Sequence, residues 1–460
     1  MSKKYDVIIV GAGPSGIFSA LELNKLKPDW KILLLEKGRD IKKRYCPMHD
    51  QHIPCVHCEH CAITSGWGGA GAYSDGKLTL TTEYGGWLGD FIGKKALEEH
   101  IAEVDDIYLG YGGNPVVYGM DEEKIVDIQR QAATADLKLI PARIRHLGTD
   151  RNYQILVNMF EDLDKLVEVR TETAVEEFLV KDGKALGVVL EDGTTIEADF
   201  IIAAPGREGH EWFSTEAKRL NLPTTSNQVD IGVRVEVPAV VMSHLTDVIY
   251  ESKFIYYSKS FDDQVRTFCM NPYGVVVMEN TRGLLTVNGH SYADKRTENT
   301  NFALLVAKTF TEPFKEPIAY GKNISALANM LGDGVIVQRL GDLQTGRRST
   351  HERIKRGLVA PTLREATPGD LSLVLPYRHL LSIMEMLEAM DKVAPGVASR
   401  HTLLYGVEAK FYSNRMQISN ELETKVENLF AIGDGAGITR GLVQASAAGL
   451  VAARAIARRK

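Results

Sequence analysis

The stretch DVIIVGAGPSGIFSALELNKLKPDWKILLLEKG, Asp6–Gly38, decides the reading of the chain. Its apolar run Val7–Val10 is short enough for a buried parallel strand. Gly11, Gly13 and Gly16 follow in G-x-G-x-x-G register. A helical pattern through Ile17, Leu21 and Leu23 comes next and is ended by Pro28. Ile32–Leu35 is a second apolar run, closing on Glu36. Gly11 permits a sharp turn, Gly13 lets backbone approach a pyrophosphate, and Gly16 lets helix and strand pack closely. Pro14 and Ser15 lie at the helix start, where the N-terminus attracts phosphate charge. Glu36, 20 residues beyond Gly16 and followed by Lys37, is placed to accept bonds from both hydroxyls of a ribose. The same carboxylate would repel the 2′-phosphate of NADP. The glycine pattern alone is weak. The strand before it, the helix after it and the acid at this distance favour a dinucleotide site over a chance turn.

The 460 residues predict two or three domains. Apolar content of 44% is ample for cores, and a net charge of −6 gives no hint of a nucleic-acid or membrane-surface protein. No run approaches the roughly 18 apolar residues of a membrane span. No cleavage motif precedes the first strand, so we expect a soluble cytoplasmic protein.

Four of the five cysteines crowd into CPMHDQHIPCVHCEHC: Cys46, Cys55, Cys58 and Cys61. Thiols three residues apart can converge on one metal, and a cytosolic setting disfavours structural disulfides. C-x2-C-x2-C resembles the run that holds three corners of a cubane [4Fe-4S] iron–sulfur cluster, with Cys46 able to supply the fourth. Zinc ranks second, redox-active thiols third and an ordinary loop last. The interleaved His49, His52, His57 and His60 read as polar loop residues. Next comes SGWGGAGAYSDGKLTL, Ser65–Leu80. Gly66, Gly68, Gly69 and Gly71 strip side chains from a short path, and Ser74, Asp75 and Lys77 punctuate it. Close approach to a flat cofactor is preferred here to a flexible loop.

Further along, helices are expected at Lys95–Tyr108, Asp121–Ala135 and Tyr153–Lys165, and a strand at Val167–Thr171. His146 and Asp150 are catalytic candidates, with a structural histidine the preferred reading. Glu176–Val180 and Ala185–Leu190 form a hairpin, and Ala198–Ala204 is an apolar strand ending in Pro205-Gly206-Arg207. Asp230–Pro238, DIGVRVEVP, alternates as a half-buried strand should. Val265–Met270, Val275–Glu279 and Leu284–Asn288 suggest an antiparallel sheet, followed by helical patterns at Phe302–Thr309, Ile324–Leu331 and Arg378–Val393. Cys269 reads as a buried apolar thiol. The run Arg347–Arg356, RRSTHERIKR, reads as a solvated surface in preference to an RNA site, with Arg347 or Arg348 available to hold a substrate carboxylate. Near the end, strand Leu429–Ile432, turn Gly433-Asp434-Gly435 and a small-residue helix Leu442–Ala457 place an aspartate where it suits a ribityl chain and flavin ring.

Together VIIVGAGPSG with Glu36, ADFIIAAPG at 198–206 and LFAIGDGAG at 429–437 resemble FAD-binding flavoproteins of the glutathione-reductase structural class. More narrowly, the chain resembles the FAD-dependent dehydrogenase (NAD(FAD)-utilising dehydrogenase) family. CxxCxxC followed by SGWGGAGAYSDGKLTL, RHLGTD, DIGVRVEVP and FCMNPYG carry that match over nearly the whole chain. The resemblance implies an α/β fold: a Rossmann-like FAD-binding domain of glutathione-reductase type and an inserted α+β substrate domain containing an antiparallel sheet. The FAD domain would be discontinuous, from 1–90, 140–225 and 400–460, with the Cys-rich loop at 46–61. A helical excursion at 91–139 and a substrate or cap domain at 226–399 complete it. By position Asp434 would bind the ribityl or phosphate part of FAD, and Val175 would contact adenine through backbone. Gly69, Gly71, Ser74, Gly206, Gly433, Gly435, Gly437 and Ile438 would line the cofactor. Pro205 departs from the threonine usual in the A-T-G motif of the wider class.

The activity so implied is that of an FAD oxidoreductase, moving hydride between the flavin and a small molecule. No catalytic residue is nominated. Residues 225–400 contain no second fingerprint, so a dedicated nicotinamide domain is not expected. Electrons would pass through transiently docked NAD(P)H, a redox protein or a cluster at the cysteines. The rival readings are an electron-transfer or redox-sensing subunit and, from the 347–356 run alone, a flavin-dependent RNA-base reductase.

Overall fold

Val7, Ile8 and Ile9 suit a pleated strand, and β1 (Tyr5–Val10) buries all three completely. In this computed structural model the described residues are 4–47, 56, 58, 60–225, 227–281, 283–292, 295–310 and 316–460. After β1 the chain turns at Gly11 (φ +106°) into α1 (Pro14–Leu26) and returns as β2 (Ile32–Leu35), parallel to β1 with Val7 opposite Ile32. Contacts along the chain cluster into two units, Met1–Val116 with Arg145–Asn227 and Tyr412–Lys460, and Val117–Ile144 with Gln228–Phe411. The segment 91–139 is thus shared between them, and 400–411 belongs to the second.

The first unit is built on a parallel sheet in the order Glu168–Arg170, β2, β1, Thr195–Ala203, Leu429–Ala431. Thr195–Ala203 is nine residues long and serves two sets of partners. Its end pairs in parallel with β1 and Leu429–Ala431, while its start pairs antiparallel with Lys184–Leu190, itself in a hairpin with Val175–Lys181. α1 packs against the last helix, Leu442–Arg459. Small residues permit this: a Cβ on Gly449 would stand 2.3 Å from the Ser15 carbonyl oxygen. Among the described residues, no helix is long and apolar enough to cross a membrane.

The second unit is an eight-stranded sheet flanked by helices. Its order is Thr367–Pro368, Ile336–Arg339, Leu403–Phe411, Val229–Pro238, Asn299–Lys308, Gln264–Asn271, Lys253–Tyr257, Lys138–Ile140. The pairings are antiparallel except that of the first two strands. Ile231, Val233, Val235, Phe302, Leu304 and Val306 lie in one buried cluster with Met386, Leu387 and Met390 of the helix Tyr377–Asp391. Val275–Thr281 and Leu284–His290 form a separate hairpin.

Phe302–Thr309 is a strand and not a helix. All of it but Thr309 lies within Asn299–Lys308, paired on both sides, with residues 299–306 buried on both faces. A fully buried strand has no wet face, so its apolar run lacks the alternation that would tell it from a buried helix. Leu403–Phe411 pairs with Val229–Pro238 and, buried along nearly its whole length, likewise lacks the alternation that would announce it in the sequence.

The glycines of the first turn separate packing from binding. A Cβ on Gly16 would stand 1.9 Å from the Gly11 carbonyl oxygen, whereas one on Gly13 would meet nothing within 4 Å. We expect Gly16→Ala to lower unfolding free energy by about 2–4 kcal/mol, since backbone must move. Gly13→Ala should leave the urea midpoint within experimental error. Equal midpoints for the two variants would contradict this assignment.

Candidate active site

In the first unit the ends of the parallel strands converge on the turn from β1 into α1. Ala204 donates to the Val10 carbonyl at 2.8 Å, Ile432 to that of Ala203 at 3.0 Å, and Gly11 to that of Leu35 at 2.7 Å. Ligands of open parallel sheets bind beyond these carboxyl ends. α1 begins at Gly13 with no side-chain cap and no acid in its first turn, so its first N–H groups are left for an anion. Leu442–Arg459 begins in the same way at Gly441.

Glu36 is engaged by backbone N–H groups of three segments. Its carboxylate accepts the N–H of Ala12 (2.9 Å), Gly38 (2.9 Å) and Gly66 (3.0 Å). A carboxylate has about four lone-pair sites, so little remains beyond one ribose hydroxyl. Lys37 pairs with Glu208. The glycine-rich loop lies against the turn: Gly68 donates to the Ala12 carbonyl at 2.7 Å, and a Cβ on Gly69 would stand 3.3 Å from Gly13 Cα. Residues 69–73 form one short 3-10 turn, with Ser74 Oγ donating to the Gly71 carbonyl at 2.7 Å. A Cβ on Gly71 would meet Leu442.

The remaining predicted residues fall into two groups. Gly433 packs against Ser15, its absent Cβ 2.5 Å from Ser15 Oγ, and Gly435 packs against Gly206. Gly437 (φ +72°) closes the turn after Asp434, and Ile438 is fully buried. Gly206 (φ +63°), like Gly13, faces open space. Val175 opens its hairpin two residues after Thr173, whose N–H donates to the Glu36 carbonyl at 2.9 Å. Asp434 accepts from Thr439 Oγ1 at 2.6 Å and lies 3.8 Å from Arg207. Burial pushes its carboxyl above the ordinary range, against the pull of Arg207, Thr439 and Arg440. Open glycines, uncapped helix starts and a tuned carboxylate fit a dinucleotide with a polyol arm.

Arg44, a residue without a sequence signal, fixes the loop. Its guanidinium donates to the carbonyls of Ala62, Ile63, Trp67 and Gly69 at 2.6–3.1 Å. Burial draws its pKa down to about 10, with Tyr73, Glu36 and Cys61 opposing. Of the four clustered cysteines, Cys46 and Cys61 are half-buried and Cys58 is exposed; Cys55 lies outside the described residues, as do His49, His52 and His57. Among the described residues, no three His, Cys, Asp or Glu side chains are grouped to hold a metal ion. His146 stands 3.9 Å from Asp75, and burial lowers its pKa. Asp150 is exposed in the first turn of Thr149–Leu166.

The second unit holds a polar cluster that the sequence reading missed. Val229–Pro238 alternates as expected, but its polar face is buried too: Asp230, Arg234 and Glu236 have no exposed surface. Arg234 grips Glu408 through two 2.7 Å bonds and donates to Asn301 (2.9 Å), the Cys269 carbonyl (2.9 Å) and Asn288 (3.2 Å). All five of its N–H groups are therefore assigned. Lys410 reaches Glu408 at 3.0 Å. Asn301 Nδ2 is buried with no acceptor among the described residues. Glu236 accepts from Tyr405, Thr362 and Asn299, and burial raises its pKa. Cys269 is half-buried and not an apolar core thiol, because a positive φ of 45° at a bulge turns it beside Arg234. The signal was present as charged residues at period two in DIGVRVEVP and in the VEAK that follows Gly406.

Burial alone would raise the Glu408 carboxyl; Arg234 and Lys410 outweigh it and hold it below the ordinary value. Its stabilisation is complete above the unfolded-state pKa of about 4.3 and is lost as pH falls through the lower folded value. Glu408→Gln should cost about 3–5 kcal/mol at pH 7, because Arg234 stays buried without its carboxylate. Urea unfolding should show that difference shrinking in acid; a constant difference from pH 7 to about pH 3 would contradict the pairing.

Comparison with known proteins gives likenesses of several kinds. An uncharacterized protein of Clostridium beijerinckii is 27% identical over 474 residues, covering 98% of this chain and 80% of that protein. L-proline dehydrogenase from P. horikoshii has a TM-score of 0.43 at 11% identity, over 100% of this chain and 95% of that one. 3-Ketosteroid-Δ4-(5α)-dehydrogenase from Rhodococcus jostii RHA1 has a TM-score of 0.42 at 14% identity, over 99% and 97%. Residues 228–411 match the family described as FAD-dependent protein, C-terminal domain-like, so that the long segment of the second unit is similar throughout to that domain.

Proposed function

We propose that this chain is an FAD-dependent oxidoreductase acting on a small molecule in the cytoplasm. The observation that carries the reading is the turn from β1 into α1. Gly11 and Gly16 are closed in by backbone while Gly13 faces open space above an uncapped helix start. FAD would supply the acceptance or donation of hydride. Gly13, Ser15 and Gly16 would hold its pyrophosphate, Glu36 a ribose hydroxyl, and Asp434 its ribityl arm. The domain match at 228–411 supports FAD over a nicotinamide as the resident nucleotide. The glutathione-reductase type of nucleotide domain and the FAD-dependent dehydrogenase family are the finer assignments, supported by the three spaced motifs.

Substrate recognition belongs in this reading to the polar face of the second unit. Arg234 has no donor to spare and positions Glu408 and Asn301. Lys410, with Glu408 its one carboxylate partner among the described residues, is the group there that can meet an electron-rich part of the substrate. Electrons enter or leave through NAD(P)H or a redox protein. Cys46, Cys55, Cys58 and Cys61 hold a metal centre, iron–sulfur ahead of zinc, on the support of their spacing.

The purified protein should be yellow and release one FAD on denaturation, and Gly13→Val should be colourless but folded. A wild-type protein that stays colourless after reconstitution with FAD refutes the reading. An anaerobic metabolite panel should find a compound that bleaches or reoxidises the flavin, and Lys410→Met should raise its KM by about tenfold or more. Reduction by a protein partner alone would make the chain an electron-transfer subunit instead. Iron and sulfide near about four per chain would establish the cluster, and stoichiometric zinc would exclude electron relay through the cysteines.

A further inference from the structure

The second unit carries an open cleft of about 410 Å³, lined by Arg339, Arg347, Arg353, Arg356, Arg400 and His401. That volume lies in the range of small-ligand pockets, roughly 300–1,000 Å³. The lining comes from three separated stretches: the end of the strand Ile336–Arg339, the segment 347–356, and residues 400–401. A solvated run such as RRSTHERIKR would by itself point its charges outward; here it is folded back on two more arginines.

One buried acid organises the cleft. Asp342 holds Arg339 through both oxygens, at 3.0 and 3.2 Å, and Arg347 Nε at 3.0 Å. Burial would raise its carboxyl, but Arg339, Ser349 and Arg347 hold it at about 2. It therefore stays ionised at all ordinary pH and fixes two guanidiniums in place. Arg339 also donates to the Arg353 carbonyl at 3.0 Å, tying the strand end to the basic segment. Against this single carboxylate stand five guanidiniums.

The others are not neutralised. Arg353 and Arg356 give one N–H each to carbonyls, of Arg348 (2.8 Å) and Glu352 (3.3 Å). Among the described residues, Arg353, Arg356 and Arg400 enter no ion pair. His401 Nδ1 is buried with no hydrogen-bond partner among the described residues. Burial, then the neighbouring Arg339 and Arg400, lower the His401 pKa. Like charges gathered in a concave site repel one another, and an anion held between them relieves that repulsion.

We propose that this cleft binds a phosphate-bearing small molecule, its phosphoryl oxygens held by the guanidinium forks of Arg347, Arg353, Arg356 and Arg400. One arginine suffices to hold a carboxylate bidentately, whereas several forks and an imidazole match a group with two or more charges and three or more oxygens. Among the lining residues there is no Phe, Tyr or Trp, so the cleft lacks the large aromatic platforms on which successive bases of a single-stranded RNA stack. The assignment does not depend on the flavin reading.

The test uses the full chain saturated with FAD, so that the nucleotide turn is filled, and calorimetric titration with inorganic pyrophosphate, inorganic phosphate, glycerol phosphate, succinate and a short single-stranded RNA. Arg356→Gln and Arg400→Gln remove exposed side chains outside the ion pairs; unchanged circular dichroism and urea midpoint verify that they fold, whether or not flavin is bound. We expect one saturable phosphoryl site per chain and a Kd about tenfold higher for each arginine removed. Arg400→Lys should fall between wild type and Arg400→Gln, and succinate should bind at least about tenfold more weakly than pyrophosphate. Tighter binding of glycerol phosphate than of phosphate would point to an organic ligand, and the converse to a free phosphate or pyrophosphate. Absence of saturable binding by any phosphoryl probe would overturn the proposal. So would affinity unchanged in the double variant, succinate binding as tightly as pyrophosphate, or RNA displacing pyrophosphate at lower concentration.

Discussion

The first unit depends on one buried carboxylate. Glu36 stands at the end of β2, almost without exposed surface, and its charge is met by the N–H groups of Ala12, Gly38 and Gly66. These belong to the turn from β1 into α1, the segment after β2 and the glycine-rich loop. An ion taken out of water must be met by dipoles at close range, so the three segments cannot part without leaving the charge unsolvated. Arg44 does the converse work on the same loop, giving its N–H groups to four carbonyls between Ala62 and Gly69. A loop rich in glycine has little side-chain packing of its own; here an anion binds it from one side and a cation from the other.

The second unit uses a different device toward the same end. Arg234 and Glu408 face each other across neighbouring strands, wholly buried, with Asn301, Asn288 and the Cys269 carbonyl completing the guanidinium. Hydrophobic residues of similar volume could hold such strands together as well or better, so stability alone does not account for an ion pair there. What the pair adds is position. A one-residue slip of Val229–Pro238 would carry Arg234 to the apolar face and leave Glu408 without a partner.

How much was legible follows from where each segment meets water. The stretch Asp6–Gly38 announced itself because β1, α1 and β2 are each bounded by glycine, proline or an acid with a local cause. The hairpin from Val175 was readable from its turn residues, and Leu429–Ala431 from the Gly-Asp-Gly that follows it. Legibility failed where both faces are covered. Phe302–Thr309 looked helical because nothing in a doubly buried strand alternates, and the polar half of DIGVRVEVP looked solvated because charge at period two normally means water. The backbone partners of Glu36 carry no sequence signal, since Gly66 comes to it only through folding. Arg44 gave no signal at all, being one basic residue among several in GRDIKKR.

The use of donors distinguishes arginines that build the fold from those that serve a ligand. Arg44 and Arg234 have every N–H directed at an oxygen of the protein, and neither has a hydrogen bond left to offer. Their burial is tolerable for that reason alone. Arg353, Arg356 and Arg400 keep most of their donors unspent and remain in contact with solvent, so nothing in the fold requires their charge. A guanidinium that pairs with no carboxylate and is repelled by its neighbours raises the energy of the protein standing by itself. Its presence in a concave site, beside two arginines that Asp342 holds rigid, is accounted for by an anion from outside.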